Sequence, residues 1–239
     1  FSKNLERSSI FCLCFLPFFF FDMTMNGIRY GLAYSLTLLA YDNYKNKLNI
    51  YFILYVSLAL LIHISSILLV GLLLIDRINI LKIKKTLLLT LITIPTFFIF
   101  LFLDRILYKI SFYSSQGSPS SISGLMPLII FLLLYLIIII SNKKAIKSYY
   151  FPFLTIIQIF SFLLSGFTYM GIRIQFIILF ALICKTSEYF KITKQNLILL
   201  LIIGALCFAG RYRNMIDEYG KGPSPFLPYT FYWQNNIED

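Results

Sequence analysis

Five residues that carry or accept positive charge stand among the most apolar stretches of this chain: Arg29, His63, Arg173, Arg211 and Arg213. Charge at bilayer depth is costly and usually marks function. Arginine forks donate paired, charge-assisted hydrogen bonds that suit phosphate and diphosphate groups. Histidine titrates near neutrality and is suited to take the proton of a hydroxyl group. An apolar bundle beside such a pocket can hold a lipid tail. The ligand these types suit is a lipid-linked anion, and a polyprenyl-diphosphate sugar fits well. Its diphosphate is already a good leaving group, and cations that stabilise the growing charge can take the place of a divalent metal.

The elements that must position these residues follow from composition. Of the 239 residues, 59% are hydrophobic and 13% are charged, about half the charged share of a soluble domain. The mean hydropathy is +0.82. Apolar runs of near-span length alternate with short charged loops, which predicts an all-α, polytopic transmembrane helical bundle forming one membrane-embedded domain over 1–239. The basic balance, with a pI near 9.5, falls in short loops, where it sets topology and makes no nucleic-acid site. The chain opens FSKNLERSS without an initiator Met, so earlier helices are expected to precede it. Cys12, Cys14, Cys184 and Cys207 all lie in apolar runs and read as buried thiols. No carboxylate and histidine cluster offers a metal site, and no cofactor is expected.

The apolar segments read as 10–21, 27–41, 49–62, 64–75, 86–103, 124–140, 149–164, 169–184 and 196–209. As a single helix, 49–75 would be about 40 Å long and would place one of its two basic flanks outside. A hairpin of two short helices, turning at His63-Ile64-Ser65-Ser66, keeps both flanks on one side. With that hairpin the inside segments 1–9, 42–48, 76–85, 141–148 and 185–195 carry +10 and the outside ones +1, out of a net +11. This asymmetry predicts a cytoplasmic start and an external tail over 210–239. It also gathers Arg29, His63, Arg173, Arg211 and Arg213 at the external face. Simpler roles are open to each: Arg29 can snorkel to headgroups, His63 can bond the hairpin backbone, and Asp22, Asp217 and Glu218 can pair the arginines. The loop 110–123 is rich in Ser, Gly and Pro, and the tail is dense in aromatics.

The stretch GIRYGLAYSLTLLAYDNYKNK (27–47), followed by SLALLIHISSILLVGLLLI (57–75), resembles the EpsG-like branch of the Wzy polysaccharide polymerases. That branch has an Arg-containing helix start, a short basic loop and an Ala-x-x-x-His-x-Ser-Ala hairpin. The matching positions are Arg29, Ala33, Ala59, His63 and Ser65. Tyr30 stands where Gln is usual, and Ser66 where Ala is usual. YMGIRI (169–174) and YTFYW (229–233) also fit the family's manner.

The resemblance implies an O-antigen, capsule or exopolysaccharide repeat-unit polymerase in a bacterial inner membrane, multi-pass and active at the periplasmic face. It would transfer a growing glycan from undecaprenyl diphosphate to an incoming lipid-linked repeat unit, without metal. Its partners would be undecaprenyl-diphosphate-linked oligosaccharide, the bilayer and a chain-length regulator protein. On this reading Arg173 and Arg211 neutralise the leaving diphosphate, and His63 takes or relays the acceptor proton. Arg29 holds the second diphosphate or orients the glycan, Arg213 and Tyr30 belong to the substrate-binding surface, and the tyrosines and Trp233 of the tail offer stacking faces to sugar rings. An O-antigen ligase would share donor and membrane side but usually carries a large periplasmic loop. A flippase would spread its charges across the full depth and show broken helices near the midplane.

Overall fold

The computed structural model describes residues 5–20, 23, 27–75, 124–141, 149–190 and 193–217. The predicted span 86–103, the loop 110–123, the basic loop 76–85 and the segment after 217, with Trp233, lie outside these residues.

The described chain is a bundle of helices, with no strand among the described residues. α1 runs over Leu5–Ile10 and continues as wider π-helical turns over Phe11–Phe20, with Pro17 inside. α2 is Ile28–Lys45, α3 Asn49–Ile62, α4 Ser66–Ile75 and α5 Leu125–Ser141. α6 is Tyr150–Ser165, α7 Tyr169–Tyr189 and α8 Lys194–Asp217. The cause is common to all: in apolar surroundings a backbone must satisfy its own N–H and C=O groups, and a helix does so within one segment. Among the described residues, Tyr169–Glu188 is the helix long and apolar enough to cross a membrane unaided, with a mean hydropathy of 1.6. The other apolar helices are shorter.

Three helices run well past the ends of the apolar runs. α2 continues to Lys45, α7 to Tyr189 and α8 to Asp217. Arg211 and Arg213 therefore sit on the last turns of a helix rather than in an irregular tail. The cysteine expectation needs a correction at one position. Cys14, Cys184 and Cys207 are buried, but Cys12 is exposed. Residues two apart on a helix point in different directions, and the helix turns only Cys14 toward its neighbours.

The predicted hairpin is present. The chain breaks between α3 and α4 at His63–Ser65, and Val70, Leu73 and Leu74 come back to line a cleft with Thr37, Tyr41 and Phe52. α2 packs along α3 and also meets α4. α7 forms the centre, touching α6, α5, α4 and α1. Its residues 177–187 are buried without interruption. Phe180 carries much of this contact, meeting Phe15, Phe19 and Tyr34 at ring-centroid distances of 5.3–5.7 Å.

The two ends of the bundle differ. At one end Lys185, fully buried, donates to the Tyr41 hydroxyl and lies 3.6 Å from Glu188, which also pairs with Lys45. Both lysine ammonium groups also stand over the Tyr41 ring, at 4.4 and 4.9 Å from its centroid, a cation–π arrangement. Asn196 donates to Ser141 at 2.8 Å at this end. At the other end Thr168 caps α7 by accepting from the Met170 N–H. There α6 and α7 approach backbone to backbone: a Cβ on Gly171 would lie 2.3 Å from the Ser165 nitrogen and 2.7 Å from the Ser161 oxygen.

Gly171→Ala is therefore expected to push α7 away from α6 at the turn before Arg173. Overpacking of this kind costs about 1–3 kcal/mol, so thermal unfolding in detergent should show a lower midpoint. An unchanged midpoint would mean that the helices do not meet this closely. Lys185→Ala empties a fully buried site and takes a hydrogen-bond partner from the Tyr41 hydroxyl, a loss of stability of about 1–3 kcal/mol. It should lower the same midpoint further than Lys47→Ala, whose side chain is exposed.

Candidate active site

The second end is where the predicted site residues fall. α3 stops because His63 adopts an extended backbone, φ −153° and ψ 113°. Three hydrogen bonds then start α4: Ser66 N–H to the His63 carbonyl, Ile67 N–H to Ile64 and Leu68 N–H to Ser65, at 3.0–3.2 Å. The His63 side chain joins this turn. The Ser65 backbone N–H donates to His63 Nδ1 at 3.3 Å, and Ser65 Oγ lies 2.6 Å from the same nitrogen.

α2 brings two tyrosines to the hairpin tip. Tyr30 and Tyr34 are four apart, hence on one helix face, with ring centroids 5.7 Å apart in an edge-to-face arrangement. The Tyr30 ring stands edge-to-face with the His63 imidazole at 6.3 Å. The Tyr34 hydroxyl lies 3.5 Å from Ser65 Oγ, the outer limit of a hydrogen bond. Tyr34 is buried, and Tyr30 and His63 are half-buried.

α7 adds the charge. Arg173, exposed on the second turn of α7, lies within electrostatic range of the Tyr34 hydroxyl. Its helix start is fixed by the Thr168 cap and by a buried amide pair, Gln158 Nε2 donating to Gln175 Oε1 at 3.3 Å. Gln175 in turn donates to the Ser161 carbonyl. Gly124, at φ +84°, opens α5 directly against Gln175 and Ser165. A side chain there would be strained by the positive φ and would displace the Gln175 amide, since a Cβ would fall 2.3 Å from Gln175 Nε2.

The structure thus brings together Tyr30, His63 and Arg173, which the sequence singled out, with Tyr34 and Ser65. Arg29, beside Tyr30 on the first turn of α2, is exposed. Gly210 of α8 lies against Met126 at the start of α5, so the backbone of Arg211 and Arg213 is at this same end of the bundle. The side chains of Arg211 and Arg213 are outside the described residues, as is Trp233. Tyr34 was not singled out from sequence. The available signal was its spacing of four from Tyr30, which puts both rings on the helix face that meets the hairpin.

Chemically, the cluster joins an imidazole held by a serine, two phenols and a guanidinium. It can bind an anion at Arg173, hydrogen-bond hydroxyl groups and present aromatic faces.

An apolar helical bundle with a polar cluster at one end fits the class of membrane proteins whose site lies at one face of the bilayer. The EpsG family profile matches residues 1–231, nearly the whole chain, and the chain belongs to that family. EpsG-like proteins are associated with Wzy-type polymerases, so its general role is polymerase-like or glycosyltransferase-like. No curated protein and no solved structure matches the chain.

Proposed function

We propose that this protein is a repeat-unit polymerase of a bacterial surface polysaccharide. It transfers a growing glycan from undecaprenyl diphosphate to a sugar hydroxyl of an incoming lipid-linked repeat unit. The observation that carries this reading is the meeting of Tyr30, Tyr34, His63, Ser65 and Arg173 at one end of an EpsG-family bundle. Charge asymmetry supports a location for that end. The loops that follow α2 and α7 belong to the basic, cytoplasmic set, so the starts of those helices face the periplasm.

In the reaction the bond from the sugar anomeric carbon to the diphosphate breaks as a bond to the acceptor oxygen forms. Arg173 stabilises the charge that develops on the diphosphate, with Arg211 as its partner and Arg29 at the second lipid-linked substrate. Tyr30 offers a stacking face to a sugar ring, as Trp233 does from the tail, and Arg213 adds a further anion contact. Such preorganised charge is commonly the largest contribution to catalysis, and losing one donor costs on the order of 100-fold or more in rate. The protein works as a multi-pass component of the inner membrane, beside a regulator of chain length.

Surface-polysaccharide gels test this directly. A deletion strain carrying the full-length wild-type gene should show a ladder. Arg173→Ala or His63→Ala should leave core plus one repeat unit while the protein remains inserted. Absence of any repeat unit in the deletion strain would point to a flippase, and lipid-linked long chains that never reach the core would point to a ligase. An intact ladder in the deletion strain would remove the polymerase reading. Topology has its own check: reporters fused within 42–48 and 76–85 should both report the cytoplasm, and a reporter within 110–123 the periplasm. Opposite readings for 42–48 and 76–85 would contradict the hairpin.

A further inference from the structure

The hairpin tip shows more than the proximity of an imidazole. Both donors of Ser65 converge on one ring nitrogen: its backbone N–H at 3.3 Å and its hydroxyl at 2.6 Å from His63 Nδ1. A backbone N–H can only donate, so Nδ1 must supply a lone pair. A neutral imidazole has one lone-pair nitrogen and one N–H. With Nδ1 occupied as acceptor, the proton of the neutral ring resides on Nε2. The same assignment makes the Ser65 hydroxyl a donor to Nδ1 and leaves its oxygen open to the Tyr34 hydroxyl at 3.5 Å. Arg173 on α7 lies within electrostatic range of that phenol, so α2, α7 and the hairpin meet at this turn.

We propose that Ser65 is a positioning residue that locks His63 in its Nε2–H form, so that His63 serves the transfer as a hydrogen-bond donor and not as the base. The proposal rests on the polymerase reading and changes one role in it. The sequence alone suggested that His63 takes the acceptor proton. For Nε2 to do so, the ring would have to give up its bond with the Ser65 N–H. Held as it is, the Nε2–H stabilises negative charge on an oxygen of the departing diphosphate, alongside Arg173. The acceptor hydroxyl gives its proton to the departing diphosphate itself. The new glycosidic bond, the broken anomeric carbon–oxygen bond and the proton are then all accounted for. Tyr34 bears on the same lock by orienting the serine oxygen.

His63 is the single histidine of the chain, which makes the lock readable without any activity measurement. Full-length protein carrying a histidine-free affinity tag, labelled with ¹⁵N-histidine and placed in lipid vesicles, yields one imidazole signal set. Solid-state NMR at neutral pH should show a protonated Nε2 and an unprotonated Nδ1. In Ser65→Ala the short hydroxyl bond is lost and the longer backbone bond alone holds the ring. Its spectrum should shift toward a mixture of tautomers, and chain extension should fall about tenfold at equal protein level. Ser65→Thr, which keeps the hydroxyl, should restore both. A wild-type ring protonated at Nδ1 would overturn the proposal, whether or not any variant inserts properly. So would a Ser65→Ala protein with unchanged spectrum and unchanged chain length. The two readings fail separately. An Nε2–H ring in a strain whose ladder does not need this protein removes the polymerase and keeps the lock. An Nδ1–H ring with a protein-dependent ladder does the reverse.

Discussion

A backbone in apolar surroundings has no water to bond, and this constraint shapes every part of the bundle. It explains why the described chain is helical, and why its serines and threonines turn inward on their own helices. Ser35 donates to Gly31, Thr37 to Ala33, Thr155 to Phe151, Ser161 to Ile157 and Thr186 to Leu182, each to the carbonyl four residues back. It also explains the side chain at the hairpin. Where α3 ends, the Ser65 N–H is released from helical bonding, and the His63 ring accepts it. The residue suited to chemistry is thus also part of what makes the turn tolerable. The structural and functional readings of His63, which compete when only the sequence is read, are compatible in the fold.

The second organising feature is the parallel course of α2 and α7. Tyr34, near the start of α2, meets Phe180 at the middle of α7, and the ends of the two helices meet at Tyr41, Lys45, Lys185 and Glu188. The far end is a closed network in which a fully buried ammonium is held by a phenol, a carboxylate and an aromatic face. The near end is built differently, with an exposed arginine set beside half-buried polar groups. One pair of helices thus carries a structural clasp at one end and the candidate site at the other.

Much of this was legible in the chain, for identifiable reasons. The hairpin could be read because two basic flanks around an over-long apolar run leave few topologies. His63 and Arg173 could be read because charge in apolar sequence is conspicuous. The Lys185 clasp could not. Lysine at the cytoplasmic end of an apolar run looks like an ordinary topogenic charge, and only packing reveals that it is buried against Tyr41. Nor could the role of Ser65 be assigned, since its effect depends on which ring nitrogen it meets. Gly124 and Gly171 were equally silent, because their value lies in what a Cβ would strike on a neighbouring helix. Helix ends in the polar flanks, such as the extension of α8 to Asp217, escaped a reading based on apolar runs because helical bonding does not stop where hydropathy does.

The clasp has a consequence for biogenesis. Lys185 and Tyr41 are 144 positions apart, so the ammonium leaves the insertion machinery long after its phenol partner has entered the bilayer. Until α7 arrives, α2 and the α3–α4 hairpin wait with their shared surface uncovered, and the site has no arginine from α7. Completion of the bundle is therefore a late, long-range event, of the kind that slows assembly and exposes intermediates to misassociation. A nascent chain stopped before α7 would lack both the Lys185 clasp and Arg173, which ties completion of the candidate site to the synthesis of α7.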